Sequence, residues 1–575
     1  MESYLCWNYD SSDTCDNYIF LASEIFCENC SRRRIEILTM RAIFDKAYYC
    51  PGDTIVLHIE SSAENLFRVR FLKLTDCVFE TITTKKNIEI VVPPNAFGGY
   101  GVDIEALDEH NEVVDKIHRG ITVAKKWSDF PVYGYLTDFR PKRYDIEKTL
   151  NWLTQYHVSA LQYYDWMYDY HKLVYEEGDL YKDAWWRKRY ISNKILKELI
   201  NTAHSKNIVS LAYVSIYAAR KNVAIKHPNW AIYVHDKDKI NLLDFSNKLC
   251  IMNTYKNSGW TKLLYEECKK VIEFGFDGIH LDQYGYPKDG EALALEEDTY
   301  KPYNTSRGFK EFINELKKFI EKPLIFNYVD NWPSELQNNL KTEIVYIEPW
   351  ECCPTLKELS RATREARKRS NGKIPIIAGY INHNFTESIL LTDATILSST
   401  GQRLELGEYK RLLSGPYFPN DWGTVDKNLA THLLSYYDFF ARYRDFFEGE
   451  FKLIKNAHEI CENASTEPEA NKIWISILNL KAKKACMINM VNYTGVEKLT
   501  WKKPLSQPEK LENICVSIPF ELISFENPDF YFVSADNQLE PEQISVKLFQ
   551  NRYEIKIPHL YYWSSILIIS NKKEE

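Results

Sequence analysis

The chain has 575 residues, 45% apolar and 26% charged, an ordinary globular balance that sets aside collagen-like, coiled-coil and disordered chains. Its 72 Lys and Arg against 80 Asp and Glu give a net charge of −8, and no basic run exceeds three residues, as at Arg32-Arg33-Arg34. Nucleic acid and anionic membrane are therefore not expected partners, and no stretch of 18 uncharged apolar residues predicts a transmembrane helix.

The length corresponds to about three or four structural units at roughly 150 residues each. Residues 1–35 are polar and without clear periodicity, and are expected to form an irregular N-terminal segment. They begin with an acid at Glu2 and no basic stretch before an apolar core, so no secretory signal is expected. The thirteen cysteines are odd in number and scattered, which fits reduced thiols in a cytoplasm better than a disulfide frame. Cys27 and Cys30, with Cys6 and Cys15 upstream, do not have the spacing of a zinc ribbon.

Residues 36–126 read as strand throughout. The runs 54–59, 68–72, 88–92 and 100–104 are β-rich, and Pro51-Gly52-Asp53, Pro93-Pro94-Asn95 and Gly98-Gly99 punctuate them. Short strands at this spacing predict a small immunoglobulin-like β-sandwich. Over 127–448 strands alternate with helices. The strands are expected at 133–138, 160–165, 209–217, 278–284, 324–329, 344–349, 374–380 and 394–399. Phe309, Phe312, Ile313, Leu316, Phe319 and Ile320 mark a helix over 307–320, and Ile191, Ile195, Leu199 and Ala203 mark another over 191–203. Eight strands in this alternation predict a (β/α)8 barrel; a doubly wound sheet would need a Gly-rich first turn, which is missing. After a last helix near 427–443, residues 449–575 return to strands at 473–477, 487–491, 553–557 and 565–569, with a turn at 481–484. The expected fold class is thus multidomain α/β, a central barrel flanked by two β-sandwiches.

Reactive groups in such a barrel lie at the C-terminal ends of strands. Asp138, Asp165, Asp282 and Glu348 end the first, second, fourth and sixth expected strands. Strand side chains alternate faces, so His280 shares a face with Asp282, and Tyr346 with Glu348, while Ile279, Leu281, Val345 and Ile347 take the helix-facing side. Asp282 and Glu348 then both point into the barrel mouth, a carboxylate pair suited to glycoside hydrolysis. Each acid taken singly could equally cap a helix or anchor a loop. A metal site built from His280, His383, Asp282 and Glu348 is the rival chemistry; it lacks an H-E-x-x-H pair. No G-x-S-x-G or phosphate-binding glycine loop occurs.

The stretches YGYLTDF at 133–139, LQYYDWMYDYH at 161–171, AYVSIYAA at 212–219, MNTYKNSGW at 252–260, GFDGIHLDQYG at 275–285, VYIEPW at 345–350 and LELGEY at 404–409 resemble, in this order, glycoside hydrolase family 66. That family holds dextranases and cycloisomaltooligosaccharide glucanotransferases. The resemblance implies a retaining cleavage of α-1,6-glucosidic bonds in dextran or isomaltooligosaccharides, with Asp282 as nucleophile, Glu348 as general acid/base and no metal or organic cofactor. It implies sugar contacts from Asp138 and Asp165 in the innermost subsite. Gln162, Asn253 and Asn327 are candidate hydroxyl partners, and Trp166, Tyr217, Tyr284 and Trp350 candidate stacking faces. Residues 1–35 have no counterpart in the family. Cyclising members carry a carbohydrate-binding module near the seventh strand, for which the expected 381–393 connection leaves no room; this favours hydrolysis over transfer. Transglycosylation on the same scaffold, and sugar binding without catalysis, are the alternatives. Family members are usually secreted, whereas this start predicts a cytoplasmic protein.

Overall fold

The computed structural model describes residues 40–571 except 62–65, 142–144, 416–422, 481–483 and 524. The expected irregular segment 1–35, with Cys6, Cys15, Cys27 and Cys30, lies outside the described residues, as does most of the turn expected at 481–484.

Eight parallel strands form the centre: Tyr133–Leu136, Ala160–Tyr163, Val209–Ser215, Gly278–Asp282, Leu324–Val329, Val345–Glu348, Pro375–Ala378 and Gln402–Leu404. Each pairs with its sequence neighbours in order. The last meets the first where the Tyr135 amide donates to the Leu406 carbonyl at 3.0 Å and the Tyr133 amide to Gln402 Oε1 at 3.2 Å. Because strand side chains alternate, two apolar layers result. Tyr133, Leu211, Ile325, Tyr346, Ile376 and Leu404 pack inside the barrel. Ile279, Leu281, Val345 and Ile347 pack outward in the larger core that includes the helices. The helix Thr305–Ile320 shows why that layer forms: Asn304 accepts from the Arg307 amide at 2.7 Å as N-cap, and Phe309, Phe312, Ile313 and Leu316 bury one face.

Seven strands fall where their sequence patterns predict, and the eighth does not. Of residues 394–399, expected as the last strand, 394–398 belong to the helix Thr386–Ser398 and Ser399 is its C-cap. The strand is Gln402–Leu404, three residues long and with Arg403 at its centre. The helix is buried on all sides from Ser388 to Ser398, so it carries no amphipathic period, and its Thr and Ile content mimics a buried strand.

Antiparallel sheets flank the barrel. On the N-terminal side, the sheet built of 41–44, 54–60 and 87–91 and the sheet built of 66–73, 76–83, 98–107 and 113–123 enclose one apolar core. Strand Thr54–Glu60 alternates buried and open positions, as a sheet with one solvated face should. On the C-terminal side, a sheet containing 473–480, 485–492, 563–570 and 528–534 faces a second one of 511–519, 546–549 and 552–560. Leu480 pairs with Ala485 across the expected turn. Two small sheets, 218–220 with 244–245 and 249–251, and 232–236 with 239–242, 292–296 and 299–303, follow the third and fourth barrel strands.

The helix Lys427–Arg442 joins the N-terminal sheets to the barrel through buried charges. Arg442 forks onto Asp103 at 2.5 and 3.0 Å, and Asp438 receives Arg119 Nε at 2.6 Å and the Gly120 amide at 3.0 Å. Gly101 is required here, since a Cβ would come within 2.3 Å of the Arg442 guanidinium carbon. Removing Arg442 strips the buried Asp103 carboxylate of its guanidinium and leaves it the His118 imidazole, 2.7 Å from Oδ1. Arg442→Met is therefore expected to destabilise the fold by about 3–5 kcal/mol, read as an earlier urea midpoint by near-ultraviolet circular dichroism. A wild-type midpoint would show that the pair is dispensable.

Candidate active site

The fourth strand ends in His280, Leu281 and Asp282. His280 faces inward and is buried, its Nδ1 2.9 Å from the Tyr133 hydroxyl and its ring edge-on to Tyr346 with centroids 4.6 Å apart. Burial pushes its pKa down to about 3, so the ring that lines the cavity here is neutral. One step further along the same face stands Asp282, 8% exposed. The Tyr213 hydroxyl donates to its Oδ2 at 2.7 Å, from the neighbouring third strand. Asn327, on the fifth strand, donates through Nδ2 to Asp282 Oδ1 at 2.7 Å and to Glu348 Oε2 at 2.8 Å. The Tyr380 hydroxyl, just past the seventh strand, donates to Glu348 Oε1 at 2.6 Å.

One amide nitrogen thus reaches both acids. The two bonded oxygens are therefore no more than about 5.5 Å apart, compatible with the roughly 5–5.5 Å of retaining glycosidases and short of the roughly 6.5–9.5 Å of inverting ones. Both acids titrate above the ordinary carboxylate range. Burial raises Asp282 to about 7, the charge of Glu348 adds to the effect, and hydrogen bonds from Tyr213, Asn327 and the Gln283 amide oppose it. Burial also raises Glu348, against hydrogen bonds from Tyr380 and Asn327. Adjacent buried carboxyls do not both ionise readily, so the pair titrates as a unit and retains one proton over a wide interval.

The two acids open onto a cavity of about 540 Å³. Gln162, Asp165, Tyr284, Asn327 and Trp350 line it with them, and so do Tyr164, Trp185, Tyr213, Phe245 and Tyr380. Two buried acceptors in this lining, Gln162 Oε1 and Asn327 Oδ1, take no hydrogen bond among the described residues. Asp165 sits in the left-handed backbone region at φ 52°, and burial lifts its carboxyl to about 7. A buried site with strained backbone and unpaired acceptors suits a polyhydroxylated ligand. Among the described residues, no group of three His, Cys, Asp or Glu side chains is arranged to hold a metal ion, and no helix is long and apolar enough to cross a membrane.

The model of glycosyl hydrolase family 66 matches residues 44–567. The chain belongs to that family. It is 26% identical over 388 residues to a cycloisomaltooligosaccharide glucanotransferase of Niallia circulans, a match covering 60% of this chain and 38% of that protein. It is 21% identical over 562 residues to a dextranase of Streptococcus salivarius, covering 82% of this chain and 67% of that one. The chain therefore spans well under half of the glucanotransferase it matches. The crystal structure of a Paenibacillus cycloisomaltooligosaccharide glucanotransferase complexed with cycloisomaltoheptaose shares the fold, with a TM-score of 0.81 at 18% identity over 92% of this chain and 99% of that one.

Four of the residues expected to touch sugar stand outside the cavity lining of this family 66 chain. Trp166 is wholly buried, its indole nitrogen donating to the Tyr213 carbonyl at 3.1 Å and its ring packed on Phe276. Tyr217 is buried as well; its hydroxyl donates to the Tyr286 carbonyl at 2.8 Å and accepts from the Tyr284 amide at 2.6 Å. Asn253 accepts from the Tyr255 amide at 2.9 Å. Asp138 is bound by Arg140, whose Nε lies 2.7 Å from its Oδ1, and its own amide donates to Glu408 at 2.9 Å. All four hold the rim or the wall together. In the other direction, Tyr213 and Tyr380 contact the acids directly without having been singled out in the sequence. IPIIAGY reads only as a strand, and AYVSIYAA as a strand and a family motif; neither ties its tyrosine to an acid.

Proposed function

We propose that the chain is a retaining, endo-acting glycosidase that hydrolyses α-1,6-glucosidic bonds of dextran or isomaltooligosaccharides. The observation that supports this reading is the Asn327 bridge, which keeps Asp282 and Glu348 close together, as a retaining pair must be, beside an open cavity. In the first step a carboxylate oxygen of Asp282 bonds to the anomeric carbon as the glycosidic bond breaks, and Glu348 gives its proton to the departing oxygen. In the second, Glu348 takes a proton from water, whose oxygen displaces Asp282 and restores the anomeric configuration. Tyr213 and Asn327 stabilise the ionised nucleophile before attack, and Tyr380 stabilises the carboxylate that Glu348 becomes after giving its proton.

Gln162, Asp165 and the free Asn327 oxygen are the acceptors for sugar hydroxyls. Tyr284 and the 40% exposed Trp350 are the stacking faces. Endo action is supported by the layout of the rings. Trp350 lines the cavity, and so does a second aromatic group in which Tyr284 stacks on Phe245 at 4.1 Å and Phe245 lies beside Trp185 at 5.9 Å, so more than one sugar ring can be held. Between the seventh and eighth strands stands only the helix Thr386–Ser398, which supports hydrolysis over cyclisation. The nine cysteines among the described residues are free thiols, which supports a cytoplasmic location.

The test is the product profile from a linear α-1,6-glucan. Reducing oligosaccharides released with retained α configuration are expected; cyclic or lengthened products would shift the reading to a transferase, and binding without release would overturn it. The pH profile of kcat/KM should be bell-shaped. On the acid side the pair gains a second proton and loses its nucleophile. On the alkaline side, above the ordinary carboxylate range because burial raises Glu348, the pair loses its last proton and with it the acid. An alkaline limb in the ordinary carboxylate range would contradict the buried pair.

A further inference from the structure

The loop after the sixth strand brings Trp350 and Glu351 into the cavity lining and is held from two sides. From the barrel, Asp330 Oδ1 accepts from the amides of Trp350, Glu351 and Cys352 at 3.2, 2.9 and 2.7 Å. From the C-terminal part of the chain, the Leu499 carbonyl accepts from the Leu356 amide at 2.9 Å and Trp501 Nε1 donates to the Cys353 carbonyl at 2.7 Å. Between these two fixings, Lys502 Nζ donates to the carbonyls of Pro349 and Trp350 at 2.7 and 3.2 Å. Those are the carbonyls of the two residues that directly follow Glu348. The ammonium lies 5.5 Å from the Trp350 ring centroid and 5.0 Å from that of Trp501.

We propose that Lys502, supplied by the segment outside the barrel, is a positioning residue for Glu348: it fixes the backbone on which the acid stands and keeps a positive charge beside a carboxyl that must change its charge in each half of the reaction. This rests on the acid/base reading of Glu348 given above. Holding two carbonyls needs only a neutral donor. A cation does more, because it favours the carboxylate that remains once the proton has gone to the leaving oxygen.

The charge environment bears on this from every side. Asp282, Tyr380, Tyr346 and Tyr164 face Glu348. Asp330, Cys352 and Cys353 face Lys502, and Lys288 stands near Asp330 with its ammonium 4.0 Å from the Trp332 centroid. Lys502 acts on Glu348 against the effect of burial, lowering its pKa. Burial in turn lowers the pKa of Lys502, and the surrounding acids and thiols support its charge. Removing the charge therefore raises the pKa of Glu348, and the proton is held to higher pH.

The experiment compares the pH profiles of kcat/KM and kcat for the full-length protein, K502Q, K502M and K502R on one isomaltooligosaccharide. K502Q retains a donor and loses the charge. Its alkaline limb is expected to move up by about half a pH unit or more. K502M loses both and should show the same shift with a higher KM, because the Trp350 carbonyl is released. K502R restores the wild-type limb. A limb that stays in place in K502Q and K502M, with or without a fall in kcat, overturns the proposal, since a prop for the loop would change rates without changing the titration. Near-ultraviolet circular dichroism of each variant separates misfolding from mispositioning. E348Q run alongside separates the two levels of argument: full turnover in E348Q removes the acid/base reading itself, whereas an inactive E348Q with an unmoved K502Q limb removes only the role of Lys502.

Discussion

Asp282→Ala is expected to lower turnover of an α-1,6-glucan by about 10⁴-fold or more while leaving the protein folded. Tyr213 and Asn327, the groups nearest the vacated position, both act there as hydrogen-bond donors. The change should not weaken the fold at neutral pH. Burial raises Asp282 to about 7, so the folded state binds its proton more tightly than the unfolded chain does. Stability is then lost as pH rises from the ordinary carboxylate range through about 7, and a neutral residue at 282 does not suffer that loss. An inactive variant with an unchanged or higher unfolding midpoint at pH 8 is the expected result. A small nucleophilic anion such as azide, with an activated glucoside, should restore some turnover and give the inverted product. Wild-type activity in the variant would end the assignment of Asp282.

Glu348→Gln should cost about 10²–10⁴-fold on dextran, and the loss should depend on the leaving group. Gln keeps one oxygen to accept from Asn327, and its NH2 can donate to the Tyr380 hydroxyl oxygen in place of the bond that Tyr380 gives Glu348, so the shape of the site is kept. What disappears is the transferable proton. A substrate whose leaving group needs no proton, such as a dinitrophenyl isomaltoside, should react with Asp282 at close to the normal rate and then stall as a glycosyl-enzyme, for want of a base. A burst of dinitrophenol followed by slow turnover is the expected trace. An equal loss on both substrates would show that Glu348 does not protonate the leaving oxygen.

How much of this was legible in the sequence depends on how local each feature is. The face sharing of His280 with Asp282, and of Tyr346 with Glu348, follows from strand alternation alone, and the barrel order follows from seven recognisable strands. The eighth was misplaced because a helix buried on every side loses its period, while a three-residue strand centred on Arg403 carries too little pattern to be seen. Aromatic residues beside acids misled in the same way: Trp166 follows Asp165 in the chain, yet its ring packs behind the wall. The partners of the acids were hidden because the contacts are long-range. Tyr213 is 69 residues from Asp282, Tyr380 is 32 from Glu348, and Lys502 is 153 from the carbonyl of Pro349. No periodicity connects such positions.

The amide of Asn327 has an implication for how this scaffold could acquire a different stereochemical outcome. It forms no bond to the substrate carbon and moves no proton, yet its one nitrogen works as a caliper whose jaws rest on the two acids. Making space for a water molecule to enter from the far face would mean opening those jaws. An evolutionary or engineered route to products of the other anomeric form would thus begin at position 327, ahead of any change to the two acids.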